Sequence, residues 1–258
     1  MPFERELRVA RDLAWRAGEV ALRFQREGFD AEDKPDASPV TEADRECERV
    51  FVEGLTAAFP DDGLLGEEGT SKESLSGRRW IIDPIDGTRD FMRLNRLWSS
   101  LIALEVEGEV KAGLATFPAL EYQYWASSGQ GAWRYGDGSV NRMGCSAISG
   151  VSRAVLCYNQ FNHVLERPNP ERVLPFAARF WAVRCLGGAL DAMFVASGSA
   201  EVWIEPSAKP WDLAALSLIA KEAGCRYFDY SGADTIYGGN AVICTPAMEP
   251  VVREFLGI

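Results

Sequence analysis

Trp80-Ile81-Ile82-Asp83-Pro84-Ile85-Asp86-Gly87-Thr88 is the stretch of this sequence best equipped for chemistry. An apolar run delivers Asp83 at its end, and Pro84 predicts a turn that brings Asp86 back towards the same point. Two carboxylates held that close repel unless a cation lies between them, and hard oxygen ligands select Mg2+ or a similar ion. Gly87-Thr88 then offers backbone N–H groups where a helix could open, an arrangement suited to phosphate. An acidic turn closing a strand has the same spelling, so this segment alone leaves both readings open.

Other residues invite the same two readings. Glu67-Glu68 lies between Gly66 and Gly69 after the apolar Leu64-Leu65; it is either a solvated strand end or a source of one glutamate for the same cleft. Asp212 in Lys209-Pro210-Trp211-Asp212-Leu213 stands where helix capping and the helix dipole favour an acid. Thr41-Glu42-Ala43-Asp44 is spelled as a capping box with Asp in place of Glu, which accounts for Thr41 and Asp44 without any chemistry. Gly187-Gly188 ahead of Ala189 fits close helix packing.

The elements that must position these residues follow from periodicity. Residues 4–27 carry Leu7, Ala10, Leu13, Ala14, Ala17, Ala21 and Phe24 at three-to-four spacing, which predicts an amphipathic helix ended by Gly28. A polar loop is expected over 30–39, then a second helix from Thr41 to about Phe59. Strand ends are expected at 64–68 and 80–83, and a meander of antiparallel strands over 99–106, 113–118 and 122–126. Further on, 155–158 and 201–205 read as strands, 189–196 and 212–223 as helices, and Asn169-Pro170-Glu171 as a capped helix start. This layering of strands and helices predicts an α/β fold with sheets covered by helices, in two halves, 1–138 and 139–258, that make one unit.

Composition removes whole classes of function. The chain has 258 residues, 47% of them hydrophobic and 25% charged, which excludes disorder, collagen and coiled coil. A formal net charge of -11 argues against nucleic-acid binding, which needs Lys and Arg to displace counterions. Its single histidine, His163, reads as an exposed loop residue, and a Ser-His-Asp hydrolase or a multi-histidine metal site would have to use that one residue. The six cysteines are scattered singly, as expected of reduced thiols in a cytoplasmic protein. The charged start, Met1-Pro2-Phe3-Glu4-Arg5, is not a signal peptide, and no apolar run reaches the roughly 18 residues of a membrane span.

Taken as a set, Val40-Thr41-Glu42-Ala43-Asp44, Gly66-Glu67-Glu68, Asp83-Pro84-Ile85-Asp86-Gly87-Thr88 and Trp211-Asp212-Leu213-Ala214-Ala215 closely resemble the signature of the inositol monophosphatase family of metal-dependent phosphatases. The resemblance runs along nearly the whole chain. It implies an αβαβα sandwich, shared with fructose-1,6-bisphosphatases, and a homodimer. It implies that Glu67 and Asp83 with the Ile85 carbonyl hold one Mg2+, that Asp83, Asp86 and Asp212 hold a second, and that Asp44 with Glu67 helps a third, weaker ion. By the same resemblance Thr88 and Glu67 orient the attacking water, the amides of Gly87 and Thr88 hold phosphate, and Gly187, Gly188 and Glu205 contact substrate.

Two metals can activate water and neutralise a phosphoryl group together, and no histidine is required. The expected activity is therefore Mg2+-dependent hydrolysis of a small polyol or amino-alcohol phosphate. Lys34-Pro35-Asp36, Ser38-Pro39-Val40-Thr41 and the segments 98–104 and 118–126 resemble the histidinol-phosphatase branch more than the inositol branch. Gly188, where that branch carries an acid, and Arg89-Asp90, where the family has Asn, depart from the pattern on the substrate side. Histidinol phosphate and inositol-1-phosphate remain rivals. A nucleotide 3′-phosphate or fructose-1,6-bisphosphate, for which basic residues to take a second phosphate are lacking, and a non-catalytic phosphate-binding relative are further alternatives.

Overall fold

The computed structural model of the chain describes residues 2–34, 39–166 and 170–258. Pro35 to Ser38 of the expected polar loop and Asn169, the expected helix cap, lie outside the described residues. In chain order the helices are α1 (Glu4–Glu27), α2 (Glu42–Ala58), α3 (Thr88–Met92), α4 (Pro170–Ala177), α5 (Gly188–Ala196), α6 (Pro210–Glu222) and α7 (Glu249–Leu256). The strands are β1 (Ala31–Asp33), β2 (Pro39–Thr41), β3 (Gly63–Gly66), β4 (Ser71–Lys72), β5 (Arg78–Asp86), β6 (Ser99–Val106), β7 (Glu109–Phe117) and β8 (Tyr122–Ser127). They continue with β9 (Ala132–Gly136), β10 (Ser139–Arg142), β11 (Val155–Tyr158), β12 (Ala182–Arg184), β13 (Val202–Glu205), β14 (Arg226–Phe228) and β15 (Ala241–Cys244).

An eight-stranded sheet runs β10-β9-β8-β7-β6-β5-β3-β4, and a five-stranded sheet runs β12-β11-β13-β15-β14. The small hairpin β1-β2 occupies part of what the sequence suggests is loop. Because side chains alternate along a strand, neighbouring residues feed different cores. In β6, Ile102 and Leu104 pack with Leu13, Ala17, Phe51 and Leu55 of α1 and α2. Leu101 and Ala103 face the other way, towards Ala189, Met193, Leu216 and Ile219 of α5 and α6.

Trp203 and Ile243 of the second sheet complete this central core from the opposite side. The outer face of that sheet, including Val202, Ile204 and Val242, closes on Val173 and Phe176 of α4 and Val252 and Phe255 of α7. The result is the expected five-layer αβαβα sandwich. Lying between two sheets, α6 is buried continuously from Leu213 to Ala220, which is why its sequence is apolar all round rather than striped. Each such fully buried Leu or Ile contributes roughly 1.5–3 kcal/mol relative to an exposed one.

Two expectations need correction. Pro84 does not turn the chain: β5 runs on through Asp86, with a register shift in which Asp83 pairs with Leu101 and Asp86 with Ser99. Two residues, Pro84 and Ile85, there oppose the single Ser100, whose hydroxyl donates to the Pro84 carbonyl at 2.7 Å. Proline lacks a ladder N–H and is tolerated at such a β-bulge. His163 is not in an open loop either; it sits half-buried in a 3-10 turn over Phe161–Glu166.

Candidate active site

The bulge in β5 decides the site. In a regular strand, residues three apart point to opposite faces; one extra residue restores Asp86 to the side of Asp83. That side faces the N-terminus of α6, where Pro210 at the first position and Asp212 at the third start the helix. Carboxylate oxygens of Asp83, Asp86 and Asp212 all lie within 4.8 Å of one another.

Two of the three acids are held by backbone N–H groups. Asp86 Oδ2 accepts from the Ala189 N–H at 3.2 Å and from Ser99 Oγ at 3.3 Å. Asp212 Oδ2 accepts from the Lys209 N–H at 2.7 Å, so the capping role legible in the sequence is real and coexists with membership of the cluster. Asp83 is 1% exposed, and its Oδ1 has no hydrogen-bond partner among the described residues. Burial, then the charges of Glu67, Asp86 and Asp212, push the Asp83 carboxyl well above the ordinary range. Burial raises Asp86 to about 6 and drives Asp212 upward beside Asp86. Three acids that resist ionisation side by side, one with an orphan oxygen, form a donor set that fits a divalent cation.

Around this centre stand the other residues singled out from the sequence. The Thr88 hydroxyl, in the first turn of α3, donates to the Ile85 carbonyl at 3.2 Å and lies 3.4 Å from Asp44 Oδ1. Asp44 Oδ2 closes the capping box by accepting from the Thr41 N–H at 2.7 Å and from the Thr41 hydroxyl, and burial raises its pKa to about 6. Gly87 precedes α3 with φ 85°, a backbone that L side chains rarely adopt.

Glu67 is not one of the three clustered acids. Its Oε1 pairs with Lys34 Nζ at 2.8 Å, and the same ammonium reaches Glu68 Oε1 at 2.8 Å. Burial alone would lower the Lys34 pKa; the two glutamates more than offset it and raise it. Glu68 itself is raised to about 7, chiefly by burial.

A cavity of about 480 Å³ opens onto the cluster, lined by Glu67, Asp83, Asp86, Thr88 and Asp212. Gly187 and Gly188, Asp90, Asn159 and Glu205 line it too. Asn159 Nδ2 donates to Glu205 Oε2 at 2.9 Å, and both residues are buried. A Cβ on Gly188 would lie 3.4 Å from Asp86 Oδ1 and 3.6 Å from Asn159 Nδ2, so the bare glycine keeps this passage wide. Thus the glycine pair borders the cavity as well as opening α5.

The sequence profile of the inositol monophosphatase family matches residues 4–255. The chain belongs to the inositol monophosphatase family. Among similar proteins, the histidinol-phosphatase of Chlorobaculum parvum is 41% identical over 239 residues, covering 92% of this chain and 91% of that one. The histidinol-phosphatase of Mycobacterium tuberculosis is 37% identical, with 92% of each chain covered. Among solved structures, the Thermotoga maritima IMPase superposes with a TM-score of 0.88 at 28% identity, covering 98% of this chain and 97% of that one. Inositol monophosphatases are metal-dependent, in keeping with the acid cluster. No helix among the described residues is long and apolar enough to cross a membrane.

Sequence reasoning passed over several residues that hold this family site in place. Glu48 on α2 is buried, and its carboxylate accepts the N–H groups of Glu68 at 2.8 Å and Thr70 at 3.0 Å. Gly66 is required beside it, since a Cβ there would fall 2.5 Å from Glu48 Oε2. Asp191 on α5 does the same for the glycine loop, accepting the Leu186 N–H at 2.9 Å and the Gly187 N–H at 3.3 Å. Asn159 gave no signal, because its meaning comes from pairing with Glu205, 46 residues away.

Proposed function

We propose that this family member hydrolyses histidinol phosphate with the help of Mg2+. The chain is a phosphoric monoester hydrolase of the inositol monophosphatase family, whose members similar to it act on small phosphorylated metabolites. One observation carries the choice of substrate. Besides the acid cluster, the cavity lining offers the acceptors Asp90, Asn159 and Glu205, while Arg89 is its one lining Lys or Arg among the described residues. An amino alcohol bearing an imidazole brings donors and positive charge to those acceptors, whereas a second phosphate would find little to pair with. The two histidinol-phosphatases at 41% and 37% identity support the same reading.

In this reading Asp83, Glu67 and the Ile85 carbonyl hold one Mg2+, Asp83, Asp86 and Asp212 a second, and Asp44 with Glu67 a third. Bound there, Mg2+ lowers the pKa of water and neutralises the phosphoryl oxygens. The chain's own groups do the rest. Thr88, anchored through Ile85 and Asp44, and Glu67 orient the attacking water. The amides of Gly87 and Thr88 hold the phosphate. Glu205, steadied by Asn159, and the side-chain-free Gly187 and Gly188 admit the amino-alcohol part.

Two further readings belong with this one. The halves 1–138 and 139–258 act as one catalytic unit, since α6 packs between both sheets while supplying Asp212. We also infer a homodimer: Leu165, Leu174 and Trp181 are 83%, 67% and 74% exposed, Trp181 directly ahead of the sheet-edge strand β12, and a second copy would cover such apolar side chains. Six unbridged cysteines support a cytoplasmic setting.

The test is phosphate release from histidinol phosphate and inositol-1-phosphate at matched concentration, in Mg2+ and in EDTA. We expect kcat/KM at least about tenfold higher for histidinol phosphate, equivalent to about 1.4 kcal/mol, and no release in EDTA. Preference for inositol-1-phosphate would overturn the substrate assignment alone. Silence on both would overturn the activity.

A further inference from the structure

A second cavity, of about 550 Å³, lies between the first half of α1 and the strands β8, β9 and β10. It shares no lining residue with the catalytic cleft. Three half-buried tryptophans line it, Trp15, Trp125 and Trp133, together with Arg8, Arg11 and Gln123. Few soluble proteins leave this much indole beside water without using it.

Arg11 is the informative residue. Its guanidinium carbon sits 3.9 Å from the centre of the Trp125 ring, and its Nε donates to Gln123 Oε1 at 2.7 Å. Gln123 is buried and fixed in turn by donating to Thr116 Oγ1 at 3.1 Å. The fork is therefore held rigidly, yet no carboxylate pairs with it and its two Nη groups find no acceptor among the described residues. Two acids also line the cleft, and each has a partner elsewhere: Asp12 makes an exposed pair with Arg16 at 3.5 Å, and Glu4 has a partner of its own. A cation that burial already disfavours, kept in place without a counter-ion, is a built half of a bidentate anion contact. Trp133 commits its indole N–H to the Gln130 carbonyl at 3.2 Å, while Trp15 commits its own to nothing among the described residues. The ring faces and this spare N–H suit a flat ligand.

We propose that this cleft is a second binding site, for a small planar aromatic molecule bearing an acidic group, which lies among the tryptophans with its acid on Arg11. The site is independent of the substrate reading above, because it uses none of the catalytic residues.

Isothermal titration of the full chain with indole-3-acetate and with 8-anilinonaphthalene-1-sulfonate tests it and distinguishes a carboxylate from a sulfonate. Indole supplies the ring without the acid, and acetate the acid without the ring. Saturable 1:1 binding is expected with at least one of the two aromatic acids. Indole and acetate should bind at least about tenfold more weakly, and Arg11→Met should weaken the aromatic acid at least about tenfold. Binding should persist unchanged in Asp83→Asn, which separates this cleft from the catalytic one. Should Arg11→Met fail to fold, Trp15→Leu carries the same expectation. No saturable binding of either acid, or equal binding to the Arg11 and Trp15 variants, would overturn the proposal. So would loss of a dimer on Val140→Asp, since a second copy of the chain would then cover this face.

Discussion

Asp83 is kept against its own electrostatics: 1% exposed, flanked by two other acids and left with an unpartnered oxygen. Removing its charge should therefore have opposite effects on catalysis and on stability. Asp83→Asn is expected to lower Mg2+-dependent turnover about a hundredfold or more, because a ligand is lost. In EDTA the same variant should unfold a few degrees higher than the parent, since about 1 kcal/mol of relieved repulsion shifts a midpoint by roughly 2–4 °C in a chain of this size. Paired activity and thermal-melt measurements check both signs, and a lower midpoint in EDTA would show that the cluster is not repulsive. At this scale the sequence was legible where a residue's neighbours in the chain explain it. Thr41, Asp44 and Asp212 spell helix caps and are caps, yet their second task depends on Thr88 and Asp86 arriving from elsewhere. Asn159 and Glu48 carry no local signal at all, because each works on a partner 20 or more residues distant.

Helices α1, α2, α5 and α6 and the strands β3, β5 to β8, β11 and β13 follow the periodicity of the chain, since amphipathic spacing and glycine stops are local facts, whereas the short strands such as β12, β14 and β15 and the helix α7 are not legible in it. The bulge of β5 does not. Pro84 signals only that the ladder breaks; whether the chain turns or bulges is settled by the register against β6, which only pairing determines. The loop after β3 shows how a neighbouring element completes such a feature. Glu48 of α2 is its anchor through two charge-assisted hydrogen bonds, each worth about 1.5–3 kcal/mol. Glu48→Ala should cost about 2–3 kcal/mol in denaturant unfolding. It should also raise the Mg2+ concentration for half-maximal activity severalfold, because Glu67 belongs to the freed loop. Glu48→Gln keeps one acceptor and should fall between. A stability loss with unchanged Mg2+ dependence would detach the anchor from the metal site.

The whole molecule sums these raised acids into a pH response. Asp44 and Asp86 near 6 and Glu68 near 7 bind protons more tightly folded than unfolded. Their contribution is full below the ordinary carboxylate range and disappears as pH rises through 6 and 7. The lowered acids Glu46, Glu109 and Asp229 have finished titrating by then and do not oppose the trend. In EDTA the melting temperature should fall from pH 5 to pH 8. In Mg2+ the fall should shrink, since ion binding needs the deprotonated ligands. A flat EDTA profile would refute the assignment. Assembly is testable at the same scale: Trp181→Glu places a charge in the exposed apolar face and should convert a sedimenting dimer to monomer with the fold intact.

Lys34 gives this acidic centre a placeholder. With its ammonium set between Glu67 and Glu68, the chain brings its own positive charge to the place where repulsion would otherwise be greatest. A cation loading at Glu67 would have to displace this tethered one, an exchange rather than an addition. With its charges offset in this way, the loop after β3 is held by a cation that the chain itself supplies.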